Sequence, residues 1–249
     1  MVTRTNPSHS DGRAAAGRVV WLDIARVCAL GGMVIFHFVR DLEVFGLLAP
    51  GTTSQGAWAW IARLIAGSFV GLSGISVVLV HGRGFRVREW LRHCVTVTAA
   101  AVAVTAATFV AVPDRFVYFG ILHAIATFGV LAPLWVRLSS VELVAAALAI
   151  LLLHGVAGRA IFDAPWMAWT GLGRSVPPTL DLIPVVPWLA IFLIGIALGR
   201  AIGVARFDRM RTLREIPVVT VLGRHSLAVY VIHQPILLAV LWCAMALTR

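Results

Sequence analysis

Three features of this 249-residue sequence predict an all-α, polytopic transmembrane helix bundle of about seven spans, with its N-terminus in the cytoplasm. The first is composition: 60% of residues are hydrophobic and 13% charged, and mean hydropathy is +0.92. A soluble domain carries about 45–50% apolar and about 25% charged residues. Too few polar side chains remain here to coat a water-facing surface, which excludes a soluble enzyme and a disordered chain alike. The second is the recurrence of apolar runs close to the roughly 20 residues a spanning helix needs. The third is charge placement. The formal net charge is +10 and every basic residue is Arg, but the arginines fall between the apolar runs. That is the pattern of membrane topology rather than of a nucleic-acid partner.

Apolar length places the spans at about 19–39, 58–80, 93–112, 117–136, 141–157, 184–203 and 224–247. Residues 1–17 are polar, lack the apolar middle of a signal peptide and read as a disordered cytoplasmic tail. Residues 18–249 form one membrane domain. Counting Arg in the short connections gives the sidedness. The tail carries Arg4, Arg13 and Arg18, and the second-to-third connection carries Arg83, Arg86, Arg88 and Arg92. Arg137 follows the fourth span, while Arg200, Arg206, Arg209, Arg211 and Arg214 follow the sixth. The alternate connections dilute their arginines with Asp and Glu, so they face outward. The longest of these, about 158–183, carries Trp166 and Trp169, which suit the headgroup level. Cys28, Cys94 and Cys243 all lie in apolar segments and suggest neither a disulfide framework nor a metal site.

Ionisable side chains inside a span are costly, so each is a functional candidate. In the first span, Asp23, Arg26 and His37 fall within roughly 60° of one another around the helix, with Asp23 and His37 about 21 Å apart along its axis. His37 and Asp41 are neighbours on one face if the helix continues. An Asp beside a His can fix its tautomer and stabilise the imidazolium, as a general base requires. Alternatively, Asp41 is interfacial and His37 bonds a neighbouring helix. His123 lies in the outer part of the fourth span. His233 lies in the seventh, before Gln234 and the helix-kinking Pro235, and reads mainly as a structural group. Arg63 either snorkels to the interface or faces a developing oxyanion. Glycines and serines at 67–74 suit close helix approach. His81, His93, His154 and His225 sit at span ends, where interfacial roles suffice. No spacing of these groups matches a metal site.

Leu22-Asp23-x-x-Arg26, followed eleven residues later by His37, resembles the first-helix signature of integral-membrane acyltransferases. The closest likeness is to the family of the heparan-alpha-glucosaminide N-acetyltransferase catalytic domain. Three further stretches resemble its bacterial members: FGILHAIA at 119–126, DLIPVVPWL at 181–189 and LGRHSLAVYVIHQP at 222–235. Val27 departs from the Gly that usually follows this Arg. The lysosomal enzyme has Asn at the position of His37 and takes its essential His from the next outer loop, whereas 42–57 here contain none.

The resemblance implies a multi-pass enzyme of the cell (inner) membrane, moving an acetyl group from cytoplasmic acetyl-CoA to a sugar or glycan amine or hydroxyl at the outer face. It points to His37 as the catalytic position and to Asp23 and Arg26 at the donor end. His123, Asp181 and His233 match recurrent positions of the family. Under this reading Arg26, with Arg83 or Arg86, meets the CoA phosphates. The pantetheine arm threads between helices towards His37, which Asp41 orients, while Arg63 or a helix dipole stabilises the oxyanion. The expected partners are acyl-CoA, the acceptor and the lipid bilayer, without nucleic acid or metal, and a homo-oligomer is compatible. Two other readings stand beside it: a small-solute transporter, which lacks a detectable inverted repeat, and a non-catalytic envelope-assembly protein.

Overall fold

The computed structural model describes residues 19–156, 162–210 and 216–247. The expected tail at 1–17 lies outside the described residues, as do Arg159, Arg211 and Arg214. Every regular element described is helical. α1 (Val20–Val44) continues past the expected end of the first span and carries His37 and Asp41 in one uninterrupted helix. It stops where Gly46 adopts φ +75°, a left-handed conformation that costs glycine little. The connection behind it is fastened by Glu43, whose carboxylate accepts from the Gly51 and Thr53 amides and the Thr53 hydroxyl. α2 (Gly56–His81) and α3 (Val87–Ala111) follow the expected second and third spans.

The expected span at 117–136 is corrected. It forms α4 (Ile121–Val130), a break at Leu131, and the single turn α5 (Ala132–Trp135). Pro133 lacks the amide hydrogen that would bond Gly129, and its ring crowds that carbonyl. The freed Gly129 carbonyl instead accepts the Trp90 indole N–H at 2.9 Å. α6 (Ser140–Val156), α7 (Val185–Ile202), α8 (Val204–Met210), α9 (Pro217–Arg224) and α10 (Ser226–Leu247) complete the chain. Of these helices α1, α2, α3, α7 and α10 are long and apolar enough to cross a membrane, while α4 and α6 are apolar but shorter. The outward surface is apolar, with Trp60, Val95, Val110, Leu152 and Trp242 all exposed. That surface suits lipid, not water, as its solvent. These helices make the chain a multi-pass membrane protein.

The centre of the bundle is the contact between α2 and α7. Gly71 and Gly74 face Gly195 so closely that a methyl group on Gly74 would run into the Phe192 carbonyl, and one on Gly195 into the Gly71 carbonyl. Helices in lipid gain little from hydrophobic burial and associate by such close packing. Around this seam lie Val70, Phe128, Leu143, Phe192, Leu193 and Ile196, all fully buried. α1 packs beside α2, α9 and α10, and α3 beside α4. The ends of α2, α4 and α7 and the starts of α1, α3 and α9 therefore gather at one Arg-rich end of the molecule.

Replacing Gly74 by Leu sets a side chain against backbone that cannot move aside. Overpacking of this kind costs about 1–3 kcal/mol or more. The melting temperature of the detergent-purified G74L protein is expected to fall. Gly31→Ala, whose added carbon meets nothing within 4 Å, should match or slightly exceed the parent.

Candidate active site

A cavity of about 530 Å³ opens among α1, α2, α3, α4 and α10. On α2 its wall runs from Phe69 to His81, about 18 Å along the helix axis. Its composition changes along that length. The Arg-rich end contributes His81, Glu89, Trp90, Arg92 and His93, and Arg26 enters from α1. The interior is lined by Leu72, Val77, Val97, Leu122, Ile125 and Leu227, relieved by Ser73, Ser76 and Thr96. It finishes at Phe69, Ile121 and Tyr230. Such a volume lies within the range of small-molecule sites. A mouth that presents the Arg26 and Arg92 guanidinium groups, with Glu89 beside them, on an apolar shaft fits a long ligand with an anionic head.

Arg26 is aimed into this cavity by its neighbours. Its Nη1 donates to Asp23 Oδ1 at 3.2 Å and its Nη2 to the Ser76 hydroxyl at 2.6 Å. Asp23 is only 2% exposed. It is packed so tightly by α9 that a methyl group on Gly223 would come within 2.9 Å of its carboxylate. The face predicted for Asp23 and Arg26 thus exists, and α2 and α9 build it.

His37 sits beyond the closed end of the cavity and does not line it. The expected open route from mouth to imidazole is interrupted by Phe69 and Tyr230, whose rings meet edge-on with centroids 6.2 Å apart. On the far side, the His37 and His233 rings lie 5.0 Å apart at 64°. His233 is in turn 5.7 Å from the Tyr230 ring. Asp41, 3% exposed, accepts from Gln234 Nε2 at 2.7 Å. The expected orienting of His37 by Asp41 is therefore corrected: the first oxygen of Asp41 accepts from α10, and its second has no partner among the described residues. Pro235 follows Gln234 and breaks the regular bonding of α10 at this level.

Two of the stretches singled out in the sequence meet at the start of α4. Phe119 bridges Leu182, and the Ile183 amide donates to the Phe119 carbonyl at 3.0 Å. Asp181 Oδ2 accepts the Ile121 amide at 3.0 Å, satisfying a first-turn donor of α4 from another part of the chain. Gly120 makes room for this carboxylate, which any side chain at that position would strike. Burial pushes the Asp181 carboxyl above the ordinary carboxylate range, against the Ile121 amide, the Arg40 charge and the Leu182 amide. His123 Nδ1 accepts from the Gly120 amide at 3.2 Å, so Nε2 carries the hydrogen and donates to Thr105 Oγ1 at 3.1 Å. The Thr105 hydroxyl passes its own hydrogen to the Val117 carbonyl at 2.7 Å. His123 Nε2 ties α4 to α3 and Nδ1 closes the start of α4 itself, so both nitrogens are occupied in this arrangement.

A family model described as "Heparan-alpha-glucosaminide N-acetyltransferase, catalytic" matches residues 18–235. The chain belongs to this family. No curated protein and no solved structure matches. The match contains the Asp23–Arg26 pair, the whole cavity lining and the His37–His233 contact.

Other residues of this acetyltransferase family member stand where the sequence did not place them. Arg83 and Arg86, expected at the donor phosphates, lie in the exposed connection after α2 and do not line the cavity. The Arg86 backbone amide bonds His81 Nδ1 at 3.1 Å. Arg92, His81 and His93 occupy the mouth instead. These histidines looked like ordinary span-end residues, and only the convergence of α2 with α3 gives them a shared cavity. Arg63 is exposed, donating weakly to the Ala59 carbonyl at 3.4 Å and lying over the Trp60 ring. Arg63 does not line the cavity. Among the described residues no group of three or more His, Cys, Asp or Glu is placed to hold a metal.

Asp181→Ala removes an acceptor at a helix start and should lower stability by about 0.5–2 kcal/mol, the range for lost N-caps. Asp181→Asn keeps an acceptor oxygen and should restore most of the loss. Thermal unfolding of both variants in detergent checks this ordering.

Proposed function

We propose that this protein is a multi-pass acetyltransferase of the cell membrane, with its Arg-rich end in the cytoplasm. Residues 18–249 act as one catalytic unit. It takes acetyl from acetyl-CoA through the 530 Å³ cavity and delivers it to an amine or hydroxyl of a sugar or glycan at the opposite face. The observation that carries this reading is the cavity's polarity, with Arg26 and Arg92 beside Glu89 at the mouth and an apolar shaft that ends one aromatic layer short of His37. Arg26, Arg92 and His93 meet the phosphates of the donor. The Phe69–Tyr230 contact parts to admit the thioester. His37 then removes the acceptor proton as the new C–N or C–O bond forms, the C–S bond breaks and CoA leaves as thiolate. Direct transfer and an acetyl-His37 intermediate both accord with this arrangement. Asp41 acts by tying α1 to α10 through Gln234 beside the base.

The experiment combines donor binding and turnover. Acetyl-CoA at about 100 times its Kd should stabilise the purified protein by about 2.7 kcal/mol. Arg26→Gln removes a charge-assisted contact worth about 1.5–3 kcal/mol and should weaken donor binding by roughly 10- to 100-fold. Arg63→Gln should leave it unchanged. His37→Ala should keep donor binding and lose transfer by about 10²–10⁴-fold. Turnover by a folded His37→Ala protein equal to that of the parent would contradict the assignment.

A further inference from the structure

We propose that His233 is the proton store behind His37. In this scheme the proton removed from the acceptor is held on the His37–His233 pair and returned to the departing thiolate. The proposal rests on the acyltransfer reading and assigns a role to a residue that the reading does not use.

Three observations lead to it. The two imidazoles are in ring contact, with centroids 5.0 Å apart and one edge turned to the other. His233 Nδ1 lies 2.5 Å from the Tyr230 carbonyl oxygen. A carbonyl can only accept, so Nδ1 bears the hydrogen and Nε2 of the neutral ring is left as an acceptor. That Nε2 is buried, on a residue 8% exposed, and has no partner among the described residues. A buried acceptor without a partner costs about 1–3 kcal/mol, which a purely structural histidine avoids. His123 shows the structural case in the same protein, with both nitrogens satisfied.

In this scheme the His233 ring becomes cationic for part of the cycle. Once charged, His233 donates from both nitrogens, one hydrogen remaining on the Tyr230 carbonyl and the other turned towards His37. Asp41 lies one helical turn beyond His37 on the same face of α1. It retains one carboxylate oxygen without a partner among the described residues. Gln234, next to His233, holds the other oxygen at 2.7 Å and so fixes this carboxylate against α10. Arg40 is the opposing charge on α1.

The step balances as follows. The acceptor's nitrogen or oxygen pair forms a bond to the thioester carbonyl carbon, and its proton moves to the unprotonated nitrogen of His37. The hydrogen on the other His37 nitrogen moves to His233 Nε2. When the tetrahedral adduct collapses and the C–S pair goes to sulfur, the transfers reverse and the proton reaches the thiolate. The rings must turn from their edge-on contact to bring the nitrogens into line, and catalytic hydrogen bonds commonly tighten in this way when substrate binds.

His233→Asn separates this role from a structural one, because its amide still donates to the Tyr230 carbonyl but cannot hold the proton. The expected result is a fall in kcat of about 100-fold or more with the acetyl-CoA KM within about threefold of the parent. His233→Ala, tested with added imidazole, is the second variant: partial return of turnover supports the proposal even if the Asn variant does not fold. An Asn variant with kcat within about threefold of the parent, or a folded Ala variant that imidazole leaves unchanged, overturns the proposal. If His37→Ala is inactive in the same assay, the acyltransfer reading survives that result. A parent protein that turns over no acetyl-CoA with amine or hydroxyl acceptors overturns both.

Discussion

The molecule depends on a buried carboxylate. Asp23 is almost completely enclosed, and an ionised group in such a place must be paired and hydrogen-bonded to persist. Arg26 supplies the pairing from the next turn of α1. Ser76 on α2 holds the other side of the guanidinium, and Gly223 on α9 presses against the carboxylate. Three helices are thereby locked around one charge pair, and the guanidinium is left at the wall of a cavity that a lipid-facing Arg would never reach. Removing either charge leaves the other buried without its partner, a loss larger than the value of any exposed ion pair.

The rest of the bundle extends that arrangement along the helix axes. The α2–α7 glycine seam brings backbones close enough to act as a rigid post, and α3 with α4 forms the opposite wall of the cavity. α10 serves both polar stations: its first turns close the cavity with Tyr230, and the next turn presents His233 and Gln234 to α1. The two stations are separated by an aromatic layer rather than by a water-filled path. Such a division suits a reaction whose donor and acceptor arrive from opposite sides and whose thioester must be kept from water. It suits a continuous solute pathway less well.

The apolar runs made the helices legible, because length and composition alone decide which segments lipid accepts. The interruption at 131 was also written in the sequence, as Pro133, but the apolar run on both sides concealed it. In the site, Asp23, Arg26 and His37 were readable because they share one helix face at fixed angular spacing. What sequence spacing could not supply were contacts made across the fold. Asp41 and His37 are four residues apart and do not bond, whereas Asp41 and Gln234 are 193 residues apart and do. Arg83 and Arg86 have the right charge in the right connection, yet the turn of α3 gives the cavity to Arg92 and His93 instead. The two hydrogen bonds of His123 are likewise set by the fold and not by spacing.

The central claim is that a donor thioester admitted at the Arg-rich mouth reaches His37 once Phe69 and Tyr230 separate. A structure of the protein bound to CoA tests it most directly. The account predicts phosphates beside Arg26 and Arg92, a pantetheine arm along the α2 wall, and the Tyr230 ring displaced so that the thiol stands within reach of His37. Phosphates bound elsewhere, or a thiol still sealed from His37 by an unmoved Phe69–Tyr230 contact, would contradict it.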